Sequence, residues 1–432
     1  MTRLTDLSLL TGWLPVTLTV LGVLGAVWLL IARSRRYVTV TAPIVVLTAA
    51  VFTTALYLVV EEVWRPLSDP IAVSVYVLIG IAVAAVLLVV PRILVRRRVW
   101  TAVVTVLAAA AVLVAVGVRI NLIYASYPTV GTVFGVDELD HVAADQLTRT
   151  AEVVTGRPLT SVWHAPAGLP AHGKVLSASI PPTASGFEAR DAQIYLPPAY
   201  FADPRPLLPV LVLLAGNPGA PEDWFVGGRL ARTMDEFAAA HEGLAPVVVV
   251  ADGTGSQLAN PLCLDSRLGN VATYLAVDVP AWTRANLQID PDPRAWAVGG
   301  LSYGGTCSLQ LATNCPQVYP TFLDLSGQDE PTLGDRQRTV DAAFGGDTAA
   351  LLRVNPLDLL RTQRFPDSAG AFVVGADDAE FRPQVERMYQ AARDAGMDVR
   401  LRELPGGHDF ALWSAGLRDQ LPWLATRLGI TP

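Results

Sequence analysis

A serine flanked by glycines marks the place where this chain can do chemistry. Gly300-Leu301-Ser302-Tyr303-Gly304 follows the short apolar run Ala295–Gly299 and leads into an apolar stretch from Thr306 to Thr313. A turn from strand to helix at this point is so sharp that side chains beside the serine would clash, and the glycines remove them. A serine hydroxyl is a weak nucleophile by itself and needs a base, which in turn needs a carboxylate to orient it. The chain has five histidines. His141 and His164 lie in or near a connecting segment, His172 precedes the first expected strand, and His241 sits between a helix and a strand ahead of the serine. His408 differs from these, because Leu404-Pro405-Gly406-Gly407-His408-Asp409-Phe410 is a glycine-rich loop after the expected strand Asp398–Leu401. For the carboxylate, Gly375-Ala376-Asp377-Asp378 follows the apolar run Ala371–Val374 and offers two neighbours. The G-x-x-D spacing favours Asp378, with Asp377 as the competitor that would cap the turn or the next helix. The negative charge that develops on an attacked carbonyl oxygen needs N–H donors. Tyr303 supplies one directly after the serine. In the loop Ala215-Gly216-Asn217-Pro218-Gly219, Pro218 has no N–H, so Asn217 is the expected second donor.

These residues need a scaffold, and the sequence from about Gly173 supplies it. Lys174–Ile180, Asp191–Leu196, Pro209–Leu214 and Pro246–Ala251 read as strands, the last with four consecutive valines, Val247–Val250. Ala295–Gly299, Ala371–Val374 and Asp398–Leu401 add three more. Runs that are apolar on both faces, separated by helical segments, predict a mostly parallel sheet covered by helices on both sides. The chain order Ser302, Asp378, His408 is the order found in α/β-hydrolases and not in serine proteases.

The first quarter is built differently. Of the 432 residues, 52% are hydrophobic and only 16% charged, and the apolar excess is concentrated before Arg119. Runs at about 8–32, 39–60, 71–91 and 99–118 are each long enough to cross a ~30 Å hydrocarbon core at ~1.5 Å per residue. A cleaved leader would account for the first run alone. Arg33, Arg35 and Arg36 follow the first run, and Arg92, Arg96, Arg97 and Arg98 follow the third, whereas the second loop carries Glu61, Glu62 and Asp69 against Arg65. Arginine-rich loops stay cytoplasmic, so the N-terminus and everything after the fourth span are expected outside. The domain plan is a four-helix transmembrane anchor over 1–122, a connecting segment over 123–172 with an amphipathic helix near Asp137–Thr155, and an α/β-hydrolase domain over 173–432. With no charge well inside the apolar runs, the anchor reading is preferred to that of a transporter.

The net charge of −7 and the lack of basic runs interleaved with aromatics exclude a nucleic-acid surface. Cys263, Cys307 and Cys315 lack the paired spacing of a zinc site. Outside the cytoplasm one disulfide becomes possible, and the spacing leaves its pairing open.

The catalytic half resembles the esterase family that includes S-formylglutathione hydrolases, feruloyl esterases and the antigen 85 mycolyltransferases. The likeness covers about residues 173–428. It rests on Leu213-Leu214-Ala215-Gly216 with Trp224, on Val247–Asp252, and on Gly300-Leu301-Ser302-Tyr303-Gly304-Gly305. Gly375-Ala376-Asp377-Asp378 and Gly407-His408-Asp409-Phe410 with Trp413 complete it. The whole chain looks like actinobacterial members with a multi-span anchor. The resemblance implies Ser302, Asp378 and His408 as a triad and Asn217 and Tyr303 as oxyanion donors, and it implies no cofactor. It departs from the family at Ala215-Gly216, where many relatives have His-Gly, and at its aspartates, where antigen 85 proteins use glutamate. The expected function is that of a serine esterase or acyltransferase in the cytoplasmic membrane, with its catalytic domain outside. Its expected substrate is an ester-containing small molecule or lipid, such as an acylated or aminoacylated envelope lipid. Mycolyl-type transfer to a sugar or lipid, and an inactive envelope scaffold, are the alternatives.

Overall fold

A computed structural model describes residues 4–136 and 139–432, and the chain divides into a unit up to residue 137 and a second unit from residue 138 onward. The first unit is built from four long apolar helices: α1 (Trp13–Leu30), α2 (Tyr37–Trp64), α3 (Val73–Val95) and α4 (Val99–Tyr124). Each is long and apolar enough to cross a membrane. Their outward side chains are apolar and exposed, as at Leu24 (60%) and Leu107 (63%), which water would penalise and hydrocarbon would not. Helix α1 packs along α4 because glycine lets the two backbones approach: a Cβ added at Gly25 would lie 2.5 Å from the Ala108 carbonyl oxygen.

Three helices run past the ends expected from hydropathy. Glu61 and Glu62, counted above as loop, belong to the end of α2, Arg92 to the end of α3, and Arg119 to α4. Arg92 is buried (6%), its guanidinium 4.5 Å over the Trp28 ring and its Nε donating to the Trp28 carbonyl. A long side chain at a helix end can keep its stem in the apolar slab while its charged head finds such partners.

The second unit is organised by an eight-stranded sheet. Its strands are β1 (Lys174–Ala178), β2 (Ala192–Leu196), β3 (Val210–Leu214), β4 (Val247–Ala251), β5 (Trp296–Leu301), β6 (Thr321–Leu325), β7 (Ala369–Gly375) and β8 (Asp398–Leu404). The spatial order is β8-β7-β6-β5-β3-β4-β2-β1. Strands β3 to β8 pair in parallel, and β2 joins β4 and β1 in antiparallel fashion. Every residue of β3 and β4 is buried; a strand covered on both faces needs apolar residues without alternation, and β-branched valines suit its pleat. Helices α5 (Leu230–Ala240), α6 (Tyr303–Asn314), α7 (Arg382–Asp394) and α8 (Phe410–Arg427) lie among the connections. The α/β-hydrolase fold is the architecture expected from the sequence.

Strand β6 was not anticipated, and the expected helix near Asp137–Thr155 is replaced. Asp137 and Glu138 lie outside the described residues. Beyond them Val142 donates to Val175 and Val175 to Asp140, a single 3₁₀ turn spans Ala144–Gln146, and Val153–Val154 pairs with Arg205–Pro206. Leu139, Val142 and Leu147 pack on the core of the second unit, so their contacts fix an extended path that local periodicity does not encode. Trp163 is likewise buried, its indole donating to Glu242.

Candidate active site

Four parallel strands, β3, β5, β7 and β8, end in the loops that carry the expected site residues, with β6 between β5 and β7. Their shared register, for example Leu214 beside Gly300 and Gly375 beside Leu404, fixes where those loops start. Ser302 stands between β5 and α6 with φ 54° and ψ −120°. A left-handed φ is unfavourable for a side-chain-bearing residue and costs about 1–3 kcal/mol. The turn tolerates nothing larger than glycine on either side: a Cβ at Gly300 would lie 2.2 Å from the Gly304 backbone, and one at Gly304 2.3 Å from the Leu214 carbonyl oxygen. The packing that forces this turn presents the serine at the head of α6.

His408 follows β8 and precedes α8, whose first turn is capped by the Asp409 carboxylate accepting from the Leu412 N–H. The His408 Nε2 lies 3.0 Å from Ser302 Oγ and the Nδ1 lies 2.9 Å from Asp378 Oδ2. Asp378 is buried, and its other oxygen accepts the Phe381 N–H. Asp377, the competitor, is exposed on the same turn and its backbone N–H donates to Gly406. The structure therefore joins Ser302, His408 and Asp378 in one hydrogen-bonded chain. The imidazole is also held by its faces: the Phe381 ring stacks on it at 3.8 Å and Trp413 meets it edge-on at 4.9 Å. His141, His164, His172 and His241 take no part in this chain.

The loop after β3 passes beside the nucleophile, since a Cβ built on Gly216 would lie 3.5 Å from the Ser302 Cβ. Trp224 fixes the end of that strand by donating to the Leu214 carbonyl. Asn217 donates its side-chain amide to the Ala259 carbonyl at 2.7 Å and Gly219 donates to Gln257, so the loop leans on residues 253–264 that follow β4. Among the described residues, neither the Asn217 nor the Tyr303 backbone N–H has a protein acceptor. Tyr303 is pinned by its hydroxyl, which donates to the Gly253 carbonyl.

Of two supports of this loop, the sequence reading missed the first and left the pairing of the second open. Arg190 reaches the Gly219 carbonyl at 2.9 Å and the Asp252 carboxylate at 2.8 Å. Burial alone would raise the Asp252 carboxyl, but the Arg190 guanidinium and the N–H groups of Arg190 and Thr254 outweigh it and hold the carboxyl below its ordinary range. Arg190 sits in an unremarkable polar stretch before β2, with no motif to flag it. The second support is the Cys263–Cys307 disulfide, which staples to α6 the loop after β4 on which Asn217 and Gly219 rest, with Cys315 left free. Asp324, on β6 behind the nucleophile turn, is fully buried and pushed up to about 7 by that burial, opposed only by the Gly327 N–H. Among the described residues no cluster of His, Cys, Asp and Glu can hold a metal ion.

An oxygen nucleophile on a strained turn, an imidazole within hydrogen-bond reach and a buried carboxylate on the far nitrogen can carry out acyl transfer. Comparisons with known proteins agree with that chemistry. The family model described as "Putative esterase" matches residues 187–424. An uncharacterized protein of Corynebacterium glutamicum is 39% identical over 392 residues, covering 89% of each chain, so the match takes in both units. The iron(III) enterobactin esterase of Dickeya dadantii is 28% identical over 148 residues, 31% of this chain and 30% of that one. Among solved structures a ferulic acid esterase superposes with a TM-score of 0.51 at 19% identity, over 60% of this chain and 99% of its own, a likeness of fold.

Proposed function

We infer, from the premise that this chain belongs to the putative esterase family and is a carboxylic ester hydrolase, that it works through an acyl-enzyme on Ser302 and does so outside the cytoplasmic membrane. The observation that carries the reading is the hydrogen-bonded chain Ser302–His408–Asp378 at the strained turn. In this mechanism Ser302 Oγ attacks the ester carbonyl while His408 Nε2 takes its proton. Asp378 keeps the imidazole in the tautomer with Nε2 free and stabilises the imidazolium that forms. The backbone N–H groups of Asn217 and Tyr303 receive the negative oxygen of the tetrahedral intermediate. His408 then protonates the leaving alcohol. Water, activated by the same imidazole, releases the acyl group from Ser302; an alcohol in its place would make the reaction a transfer.

Two independent features support the extracytoplasmic placement. Arg33, Arg35 and Arg36 after α1, and Arg96, Arg97 and Arg98 after α3, keep those loops cytoplasmic, which sends the chain outward after α4. The Cys263–Cys307 disulfide fits an oxidising compartment. Tethering there raises the local concentration of envelope esters over soluble ones, so acylated or aminoacylated envelope lipids are the proposed substrates.

The test is turnover of p-nitrophenyl esters by the full chain, together with labelling by a fluorophosphonate. Wild type should hydrolyse and label, whereas Ser302→Ala should lose labelling and at least about 10⁴-fold in kcat. A folded wild-type protein inert in both assays would instead favour the envelope scaffold.

A further inference from the structure

The four helices of the N-terminal unit do not close into a ring. Helix α1 packs along α4, α4 along α3 and α3 along α2, and a cleft of about 790 Å³ opens between α1 and α2 with α3 as its floor. Small residues make the space: Ala49, Ala50 and Thr53 on α2 face Gly80, Ala84 and Ala85 on α3. The two helices approach closely there, a Cβ at Gly80 falling 3.0 Å from Thr53 Oγ1. Thr53 spends its hydroxyl on the Ala49 carbonyl at 2.8 Å, so this close contact between α2 and α3 offers no unpaired hydroxyl.

The two ends of the cleft differ. At the end facing the arginine loops, Tyr37 of α2 donates to the Leu29 carbonyl of α1, and Arg92 covers Trp28. These contacts tie the helices together. At the other end Tyr57, Val73 and Tyr76 line the opening; the two tyrosine rings meet edge-on at 5.2 Å, and Tyr76 donates to Glu61 at 2.6 Å. The lining from Val73 to Leu88 covers about 22 Å at ~1.5 Å per residue, most of a ~30 Å hydrocarbon core. The cleft is therefore long and mostly apolar, tied together at the end facing the arginine loops and most polar at its outer mouth.

An apolar void of this size forfeits dispersion contacts along all its walls, and in a bilayer the medium that can fill it is hydrocarbon. We propose that the cleft is a binding site for one long acyl chain of a membrane lipid, with the lipid's polar head at the Tyr57–Tyr76–Glu61 mouth. Four closely packed helices would suffice for an anchor alone. These instead hold a lipid chain whose head lies on the side of the membrane from which the polypeptide continues to the esterase. This deepens the reading of the substrate as an acylated envelope lipid, and it rests on the assignment of the four helices as membrane spans.

The test uses the full chain in vesicles of phosphatidylethanolamine and phosphatidylglycerol doped with a phosphatidylcholine that carries a mid-chain diazirine. After irradiation, adducts are mapped by mass spectrometry. The proposal expects adducts on Thr54, Val77 and Ile81 in several-fold excess over the comparably exposed Leu47, Val90 and Leu107, which lie outside the cleft. Ala84→Phe and Ala50→Leu, which fill the cleft from its floor and from its α2 wall, should each remove that excess and leave the Leu107 adducts and short-ester hydrolysis unchanged. Adducts that follow exposure alone, or an excess that survives both substitutions, would overturn the site while leaving the spans in place. If no adducts form on any of the four helices and alkaline carbonate strips the protein from the vesicles, the membrane assignment itself fails, and the site with it.

Discussion

The two units of this chain are both rich in valine, leucine and alanine, yet they dispose of them in opposite ways. In the C-terminal unit β3 and β4 bury every one of their apolar residues, and the buried Asp252 carboxylate is held by the Arg190 guanidinium. In the N-terminal unit large apolar residues such as Leu24 and Leu107 point outward, and the closest backbone approach is at small ones such as Gly25 and Ala108. The contrast follows from the solvent. Water drives the first core together by expelling apolar surface, whereas hydrocarbon offers helices no such drive and leaves packing and backbone approach to hold them. The chemistry belongs to the first kind of core, where a buried carboxylate such as Asp378 is fixed by hydrogen bonds from His408 and Phe381.

That assignment breaks most sharply at the carboxylate. Asp378→Asn should lower kcat by ~10⁴-fold, since the amide can no longer hold the correct imidazole tautomer. Asp377→Asn, one residue away on an exposed turn, should change it little. Steady-state ester hydrolysis by the two variants decides the matter, and equal losses would remove Asp378 from its proposed role. Neither substitution should alter retention of the chain in membranes.

A buried charge gives the next effect. Burial pushes Asp324 up to about 7, above its unfolded value near 4, so the native state holds a proton that the unfolded state has lost. Stability from this group is therefore fully present below about pH 4, declines as pH rises towards about 7, and is flat above; the whole excursion is of the order of 4 kcal/mol. Asp324→Asn keeps an acceptor for the Gly327 N–H and has no charge to bury. Melting of the C-terminal unit should fall between about pH 4 and pH 7 in the wild type and fall less in the variant. Parallel profiles would show that Asp324 is not the group responsible.

Asp324 also explains what the sequence concealed. Ser302, His408 and the choice between Asp377 and Asp378 were legible because a nucleophile turn demands glycines at fixed positions and because the loops follow recognisable apolar runs. Strand β6, Thr321-Phe322-Leu323-Asp324-Leu325, was not: a carboxylate interrupts its apolar run, and Pro316 and Pro320 precede it. The tertiary environment, which hides that carboxylate behind the nucleophile turn, decides the strand. The segment from Leu139 to Val154 misled in the other direction, its amphipathic spacing suiting a helix while its partners, Val175 and Arg205–Pro206, lie far along the chain. The pairing of Cys263 with Cys307 is of the same kind, set by a loop and a helix that only the fold brings together.

Removing that disulfide should cost about 2–4 kcal/mol, because it closes a loop of 44 residues. It should also lower kcat, since the loop it staples carries the Gln257 and Ala259 carbonyls on which Gly219 and Asn217 rest. Thermal melts and ester turnover of Cys263→Ser with Cys307→Ser would show both effects. A loss of stability with kcat intact would mean that the oxyanion loop is held without the staple. The N-terminal unit has no cysteine and should melt unchanged.

The converse perturbation acts on the anchor alone. Gly25 faces Ala108, and a side chain at this position meets the α4 backbone 2.5 Å away, where nothing flexible can yield. Gly25→Leu should therefore push α1 from α4 at a cost of about 1–3 kcal/mol, the usual penalty of overpacking. Stepwise denaturation of the detergent-solubilised chain should show the helical unit losing structure earlier, while hydrolysis of a short soluble ester stays at the wild-type rate. Turnover of a long-chain lipid ester in vesicles should fall, because moving α1 reshapes the cleft between α1 and α2. If the short-ester rate falls in parallel with the long-chain rate, the two units are not energetically separate, and the division of labour between a hydrocarbon-built anchor and a water-built catalyst would have to be given up.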